Sequence, residues 1–140
     1  MERVLLATDS DALFDEVDAS LGDARTEVAR VRSGADVAPA IRERQPDLVL
    51  LDLQIGNMGG MATVRHLRNE AGGRRLPDQA ILLLLDRSAD VFLAAESEAD
   101  GWMIKPVDSF RLRRAAEAVA GGGVWREHAD GTIDEGDLVS

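Results

Sequence analysis

Four side chains able to hold charge at a reaction centre each stand directly behind an apolar run. Asp9 follows Val4-Leu5-Leu6-Ala7 and Thr8, Asp52 ends Leu48-Val49-Leu50-Leu51, Asp86 ends Ala80-Ile81-Leu82-Leu83-Leu84-Leu85, and Lys105 ends Trp102-Met103-Ile104. Short apolar runs without polar alternation are the pattern of strands covered on both faces. In an open α/β sheet the working crevice lies outside the carboxyl ends of the strands. That topology brings Asp9, Asp52 and Lys105 to one rim although they are far apart in sequence. Two carboxylates and an ammonium in one crevice suit a hard divalent cation and a phosphoryl group. Taken singly, Asp9 and Asp86 read equally well as turn or cap residues. Asp52, inside Leu48–Leu53, has no cap to serve, and Lys105-Pro106 stands between an apolar strand and a capped helix. His66 and His128 have no second histidine or cysteine at ligand spacing, so neither marks a metal site.

The elements that must position these residues follow from periodicity. Between the strands, apolar residues recur near every 3.6 positions: Leu13, Phe14, Val17, Leu21; Val37, Ile41; Met61, Val64, Leu67; Val91, Phe92, Ala95; Leu112, Ala115, Ala116, Val119. Caps are expected at Ser10, at Ser33 or Asp36, at Ser88, and at Asp108 or Ser109, and Pro46 closes the second helix. Glu27–Val31 alternates polar and apolar residues as a half-exposed edge strand does. Five strand–helix alternations over residues 1–120 predict a doubly wound parallel sheet with helices on both faces, flavodoxin-like in the order 2-1-3-4-5.

Composition excludes several classes. The chain has 140 residues, 45% of them hydrophobic, enough for one core without a metal or disulfide. There is no cysteine, which excludes thiol catalysis, zinc–thiolate sites and iron–sulfur clusters. A net charge of −10 with no basic patch speaks against nucleic acid or an anionic membrane as a direct partner. The first apolar run is too short for a signal peptide or a membrane span, so a cytoplasmic protein is expected. Beyond Ala120 the triplet Gly121-Gly122-Gly123 breaks the last helix, and five acidic residues against Arg126 follow. Residues 121–140 therefore read as a Gly-rich linker and acidic tail, either free or clipped to the domain by Val124 and Trp125.

Three stretches carry a likeness to a known family: Pro46–Leu53, Gly59-Gly60, and Ala99-Asp100-Gly101-Trp102-Met103-Ile104-Lys105-Pro106-Val107-Asp108. With them the chain resembles the response-regulator receiver domain over about residues 2–120. The resemblance implies that Asp52 is the phosphoacceptor, that Lys105 contacts the phosphoryl group, and that Asp9 and Asp52 hold Mg²⁺. It also implies a sensor histidine kinase or phosphotransfer protein as partner in a two-component system, and a signalling module rather than an enzyme.

Three departures from the family pattern stand out. Thr8 takes the place of the first acidic residue after strand one, which weakens the expected Mg²⁺ site. Leu85 or Asp86 takes the place of the Ser or Thr that bonds the phosphoryl group, with Ser88 as a conceivable substitute. The loop Gln54-Ile55-Gly56-Asn57-Met58-Gly59-Gly60 lacks the usual proline and acidic residue, and its glycines suggest a permissive loop. Trp102 stands where receivers carry a switch aromatic. Val91, Phe92 and Leu93 are consecutive, so at least one faces outward, and with Trp102 they suggest a homodimer face. Two readings follow: an atypical phosphoacceptor, or a pseudo-receiver that works by protein contact alone. A flavodoxin-like enzyme or cofactor binder is disfavoured, because no Gly-rich phosphate fingerprint follows strand one.

Overall fold

A computed structural model describes residues 1–137. Its strands are β1 Arg3–Ala7, β2 Glu27–Val31, β3 Leu48–Asp52, β4 Ile81–Leu85, β5 Gly101–Ile104, β6 Gly123–Glu127 and β7 Ile133–Asp137. They form one sheet in the order β2-β1-β3-β4-β5-β6-β7. The first six are parallel, with pairs such as Leu6↔Leu50 and Leu50↔Leu82 fixing the register, and β7 returns antiparallel to β6. The predicted flavodoxin-like order is therefore present, extended by two strands at the β5 edge.

The apolar runs explain this placement. In β4 all five residues are buried: Ile81, Leu83 and Leu85 join one core layer, and Leu82 and Leu84 join the other. A strand with no polar face is stable only when both faces are covered. The first layer is closed by α2 (Val37–Arg44), α3 (Gly60–Gly72) and α4 (Val91–Glu96). The second is closed by α1 (Asp11–Leu21) and α5 (Ser109–Ala120). Ser10 caps α1 by accepting the Leu13 N–H, and Asp108 caps α5 by accepting the Arg111 N–H. The other two expected caps differ. Short 3₁₀ turns, Gly34–Asp36 and Ser88–Asp90, precede α2 and α4, so Ser33 and Ser88 cap no α-helix, while Asp36 holds the α2 cap position without a side-chain cap bond.

Residues 121–137 take the clipped rather than the free form of the expected tail, with Val124 and Trp125 buried, but as two strands instead of a linker. Gly121 and Gly122 form the turn after α5, and the chain then runs along β5 as β6, with Gly101 opposite Trp125 and Trp102 opposite Arg126. The charge count misled because the acidic residues lie in a hairpin where several have partners. Arg114 pairs with Glu135 at 2.8 Å, and His128 bonds Asp134 at 2.8 Å. Gly123 is required by close approach: a Cβ there would lie 2.1 Å from the Gly136 carbonyl oxygen. Trp125 is 3% exposed within the α1/α5 layer. The rest of the tail, residues 138–140, lies outside the described residues.

Candidate functional site

The ends of β1, β3, β4 and β5 converge as the topology requires. Asp52, the last residue of β3, is 3% exposed. One carboxylate oxygen, Oδ1, accepts the Lys105 ammonium at 2.7 Å and the Gln54 N–H at 3.1 Å. The other, Oδ2, accepts the hydroxyl of buried Thr8 at 2.7 Å, and the same hydroxyl accepts the Ser10 N–H at 3.1 Å. Asp9, the next residue, is exposed at the rim.

At strand four the structure separates the two candidates. Leu85 is fully buried in the core, whereas Asp86 reaches the crevice and accepts a second bond from Lys105 at 2.9 Å. Its other oxygen, Oδ2, is buried and has no hydrogen-bond partner among the described residues. Ser88 is exposed in the 3₁₀ turn. One ammonium thus bridges two carboxylates, one on each side.

Burial disfavours the charge on Lys105, but its hydrogen bonds to Asp52 and Asp86 outweigh this and hold its pKa above the usual lysine value. Lys105 is the chain's single lysine, and there is no tyrosine or cysteine. Above pH 9 it is therefore the one group that titrates before arginine. A pKa raised on folding means that the native state binds more protons, so stability is held below the ordinary value of 10.5 and lost as pH climbs through the raised value. Denaturant unfolding from pH 8.5 upward should show a fall beginning near 10.5 in the wild type, and none in Lys105→Met. Parallel curves would show that the two bonds give Lys105 no net stabilisation.

The loop after β3 is less permissive than its glycines suggest. Gly56 and Gly59 do not take positive φ; Asn57 and Met58 do, at 49° and 70°. The loop is pinned to the turn before α2, where the Gly56 and Asn57 carbonyls accept the N–H groups of Gly34 and Ala35. The glycine that matters is Gly34, since a Cβ there would lie 1.9 Å from the Met58 carbonyl oxygen.

Trp102 and Val91 do not belong to an outer face. Trp102 is 4% exposed and donates its indole N–H to the Glu127 carbonyl at 2.9 Å, with Arg126 over its ring. Val91 is buried as well, while Phe92 and Leu93 are 77% and 51% exposed. The residues that sequence reasoning missed are Arg111 and Glu127, which meet behind Lys105 at 2.6 Å. The available signal was the apolar Val124-Trp125 pair ahead of Glu127, the beginning of one more strand.

The family model for the response regulator receiver domain matches residues 4–117. The chain belongs to that family. AfsQ1 of Streptomyces coelicolor, a transcriptional regulatory protein, is 33% identical over 121 residues, covering 85% of this receiver chain and 51% of AfsQ1. The receiver chain thus spans about half the length of that relative. Among solved structures, a response regulator of Chloroflexus aurantiacus superposes with a TM-score of 0.75 at 21% identity, over 86% of this chain and 98% of the other. The receiver domain of the Pseudomonas aeruginosa sensor kinase PA1611, solved with magnesium in its active-site cleft, gives 0.72 at 21% identity, over 86% and 98%. At such identities these neighbours speak for the fold. No described helix is long and apolar enough to cross a membrane.

Proposed function

We propose that Asp52 accepts a phosphoryl group from a histidine kinase or phosphotransfer protein in the cytoplasm, at a site whose metal and switch positions are altered. The observation that carries this reading is the buried Asp52 carboxylate with the Lys105 ammonium 2.7 Å from Oδ1. An aspartyl oxygen is a workable covalent acceptor: it attacks phosphorus, the donor's leaving group departs, and an acyl phosphate remains. Lys105 offsets charge on the transferred group. The groove beside it, lined by Ser10, Ala12, Leu13, Glu16, Pro106 and Val107, is open to a donor protein.

The donor set fits a largely hydrated Mg²⁺ on Asp9 and Asp52, since Mg²⁺ is commonly held through one or two carboxylates plus water. No group of three acidic or histidine side chains that could cage a metal exists among the described residues. Thr8 contributes a neutral hydroxyl where a carboxylate would add charge. When bound, Mg²⁺ would neutralise charge on the phosphoryl oxygens. Weak affinity is expected, and weaker still when Asp9 and Asp52 are both changed to asparagine.

The second reading, a pseudo-receiver acting by contact alone, is favoured by one feature: Asp86 already holds Lys105. Intact-mass analysis after incubation with acetyl phosphate and Mg²⁺ separates the two. The phosphoacceptor reading expects one phosphoryl adduct on the wild type and none on Asp52→Asn. An unmodified wild type under conditions that modify an ordinary receiver leaves the contact reading.

For partner contact we propose the α4 face presenting Phe92 and Leu93, here with Val91 and Trp102 removed from it. If this face joins two copies, sedimentation should show a dimer for the wild type and a monomer for Leu93→Asp. Identical monomers would end the homodimer proposal.

A further inference from the structure

Behind Lys105 the chain is gripped from both sides. Arg111, in the first turn of α5, donates through Nη2 to the Ile104 carbonyl at 2.6 Å and to the Pro106 carbonyl at 3.1 Å, the residues flanking Lys105. Its Nη1 bonds Asp108, and its Nε donates to Glu127 at 2.6 Å. Glu127, the last residue of β6, is buried, and every hydrogen bond it makes there points to the same place. Oε1 accepts the Ile104 N–H at 2.8 Å, and Oε2 accepts Arg111 and the Trp125 indole N–H at 3.0 Å. The backbone carbonyl of Glu127 accepts the Trp102 indole N–H.

We propose that Arg111 and Glu127 form a clamp that positions Lys105 and couples the state of Asp52 to the seating of the C-terminal hairpin. The step rests on the reading that Lys105 contacts whatever group Asp52 carries. A buried carboxylate is costly unless its oxygens are satisfied, so Glu127 holds its place only while Ile104, Arg111 and Trp125 hold theirs. The planar guanidinium of Arg111 bonds the two carbonyls through Nη2 while Nε reaches Glu127 and Nη1 reaches Asp108, a spread of donors an ammonium would not reproduce. Any movement of Lys105 toward a phosphoryl group therefore pulls on Ile104 and Pro106, and through them on Glu127 and both tryptophans. Coupling of this kind is reciprocal: what loosens the hairpin also loosens Lys105. β6 and β7 lie beyond residue 117, where the family match ends, so the Glu127 half of the clamp is supplied by this extension and the Arg111 half by the matched domain.

The composition supplies clean probes. One lysine and two tryptophans mean that lysine-selective ¹³C,¹⁵N labelling gives one Cε/Nζ signal, and an amide spectrum shows two indole N–H signals, both bonded to Glu127. In unphosphorylated protein, Lys105→Met should shift both indole signals, and Glu127→Gln should shift the Lys105 signal. Glu127→Gln keeps an acceptor for Ile104, whereas Glu127→Ala does not. The alanine variant should accordingly give the larger shift and about tenfold faster indole exchange, the change expected from losing one hydrogen bond. Unchanged amide signals from β2 and α2, which touch neither Lys105 nor Glu127, certify the fold in each variant. Indole signals unmoved by Lys105→Met, together with a lysine signal unmoved by either Glu127 variant, would overturn the clamp. A last arm adds beryllofluoride and Mg²⁺: the indole signals should shift in the wild type and stay in Asp52→Asn. If beryllofluoride fails to bind, the phosphoacceptor reading falls, while the variant arms still decide the clamp.

Discussion

Replacing Asp86 by threonine should raise the phosphorylated fraction of this receiver at least tenfold at fixed acetyl phosphate and Mg²⁺. Asp86 and Asp52 share one ammonium, at 2.9 and 2.7 Å. A phosphoryl group on Asp52 places added negative charge beside a carboxylate that is part-buried. Two like charges about 5 Å apart cost roughly 3 kcal/mol at an effective dielectric near 20. Lys105 offsets part of that cost, but in the present arrangement it is already shared. Threonine removes the repulsion, frees Lys105 for Asp52 and adds a hydroxyl donor where the carboxylate only accepts. Even half of the repulsion, about 1.5 kcal/mol, slightly exceeds the ~1.4 kcal/mol that corresponds to a factor of ten. Quantifying the adduct by intact mass over time checks this, with Asp86→Asn as the variant that removes charge without adding a hydroxyl. Equal adduct levels in wild type and Asp86→Thr would mean that Asp86 does not oppose phosphoryl transfer.

The crevice was legible in sequence because strand ends in a parallel sheet share a rim, so chemistry-bearing residues at the ends of apolar runs are placed together by topology alone. Asp52 and Lys105 were found this way. What the pattern could not resolve was a choice of one residue at strand four. Leu85 and Asp86 are neighbours, and only the sheet register decides which points into the core and which into the crevice. The loop after β3 misled for a different reason. Glycine permits positive φ but does not require it, and here Asn57 and Met58 adopt it because the loop's carbonyls are tied to Gly34 and Ala35. Helix α4 was expected from its apolar spacing and is present, but it is short, and its consecutive Val91, Phe92 and Leu93 divide between core and solvent. Trp102 could not be placed from its own run at all, since its cover comes from Arg126 and Glu127 on the added strand. Net charge concealed that strand: five acidic residues suggested a solvated tail, while the apolar pair Val124-Trp125 carried the contrary signal.

That pair leads to the second large effect. Trp125→Ala should lower the unfolding free energy by about 3–5 kcal/mol, the range for deleting a buried aromatic. Trp125 is 3% exposed and sits in the core layer with Leu82, Met103, Leu112 and Val119. Its removal leaves a cavity between α5 and the sheet where the backbone cannot collapse freely, because β6 already lies so close to β5 that a Cβ on Gly101 would stand 2.5 Å from the Trp125 carbonyl oxygen. It also withdraws the indole donor from Glu127, although Arg111 and Ile104 still satisfy that carboxylate. Against a total of about 5–15 kcal/mol for an ordinary domain, such a loss is at least a fifth of the whole. Trp125→Phe separates the two contributions, since it retains most of the ring and deletes the N–H; about 1 kcal/mol is expected there. Urea unfolding followed by circular dichroism measures all three proteins. A free acidic tail would give Trp125→Ala the same midpoint as the wild type, whereas a docked hairpin requires a much lower midpoint for alanine and a small shift for phenylalanine.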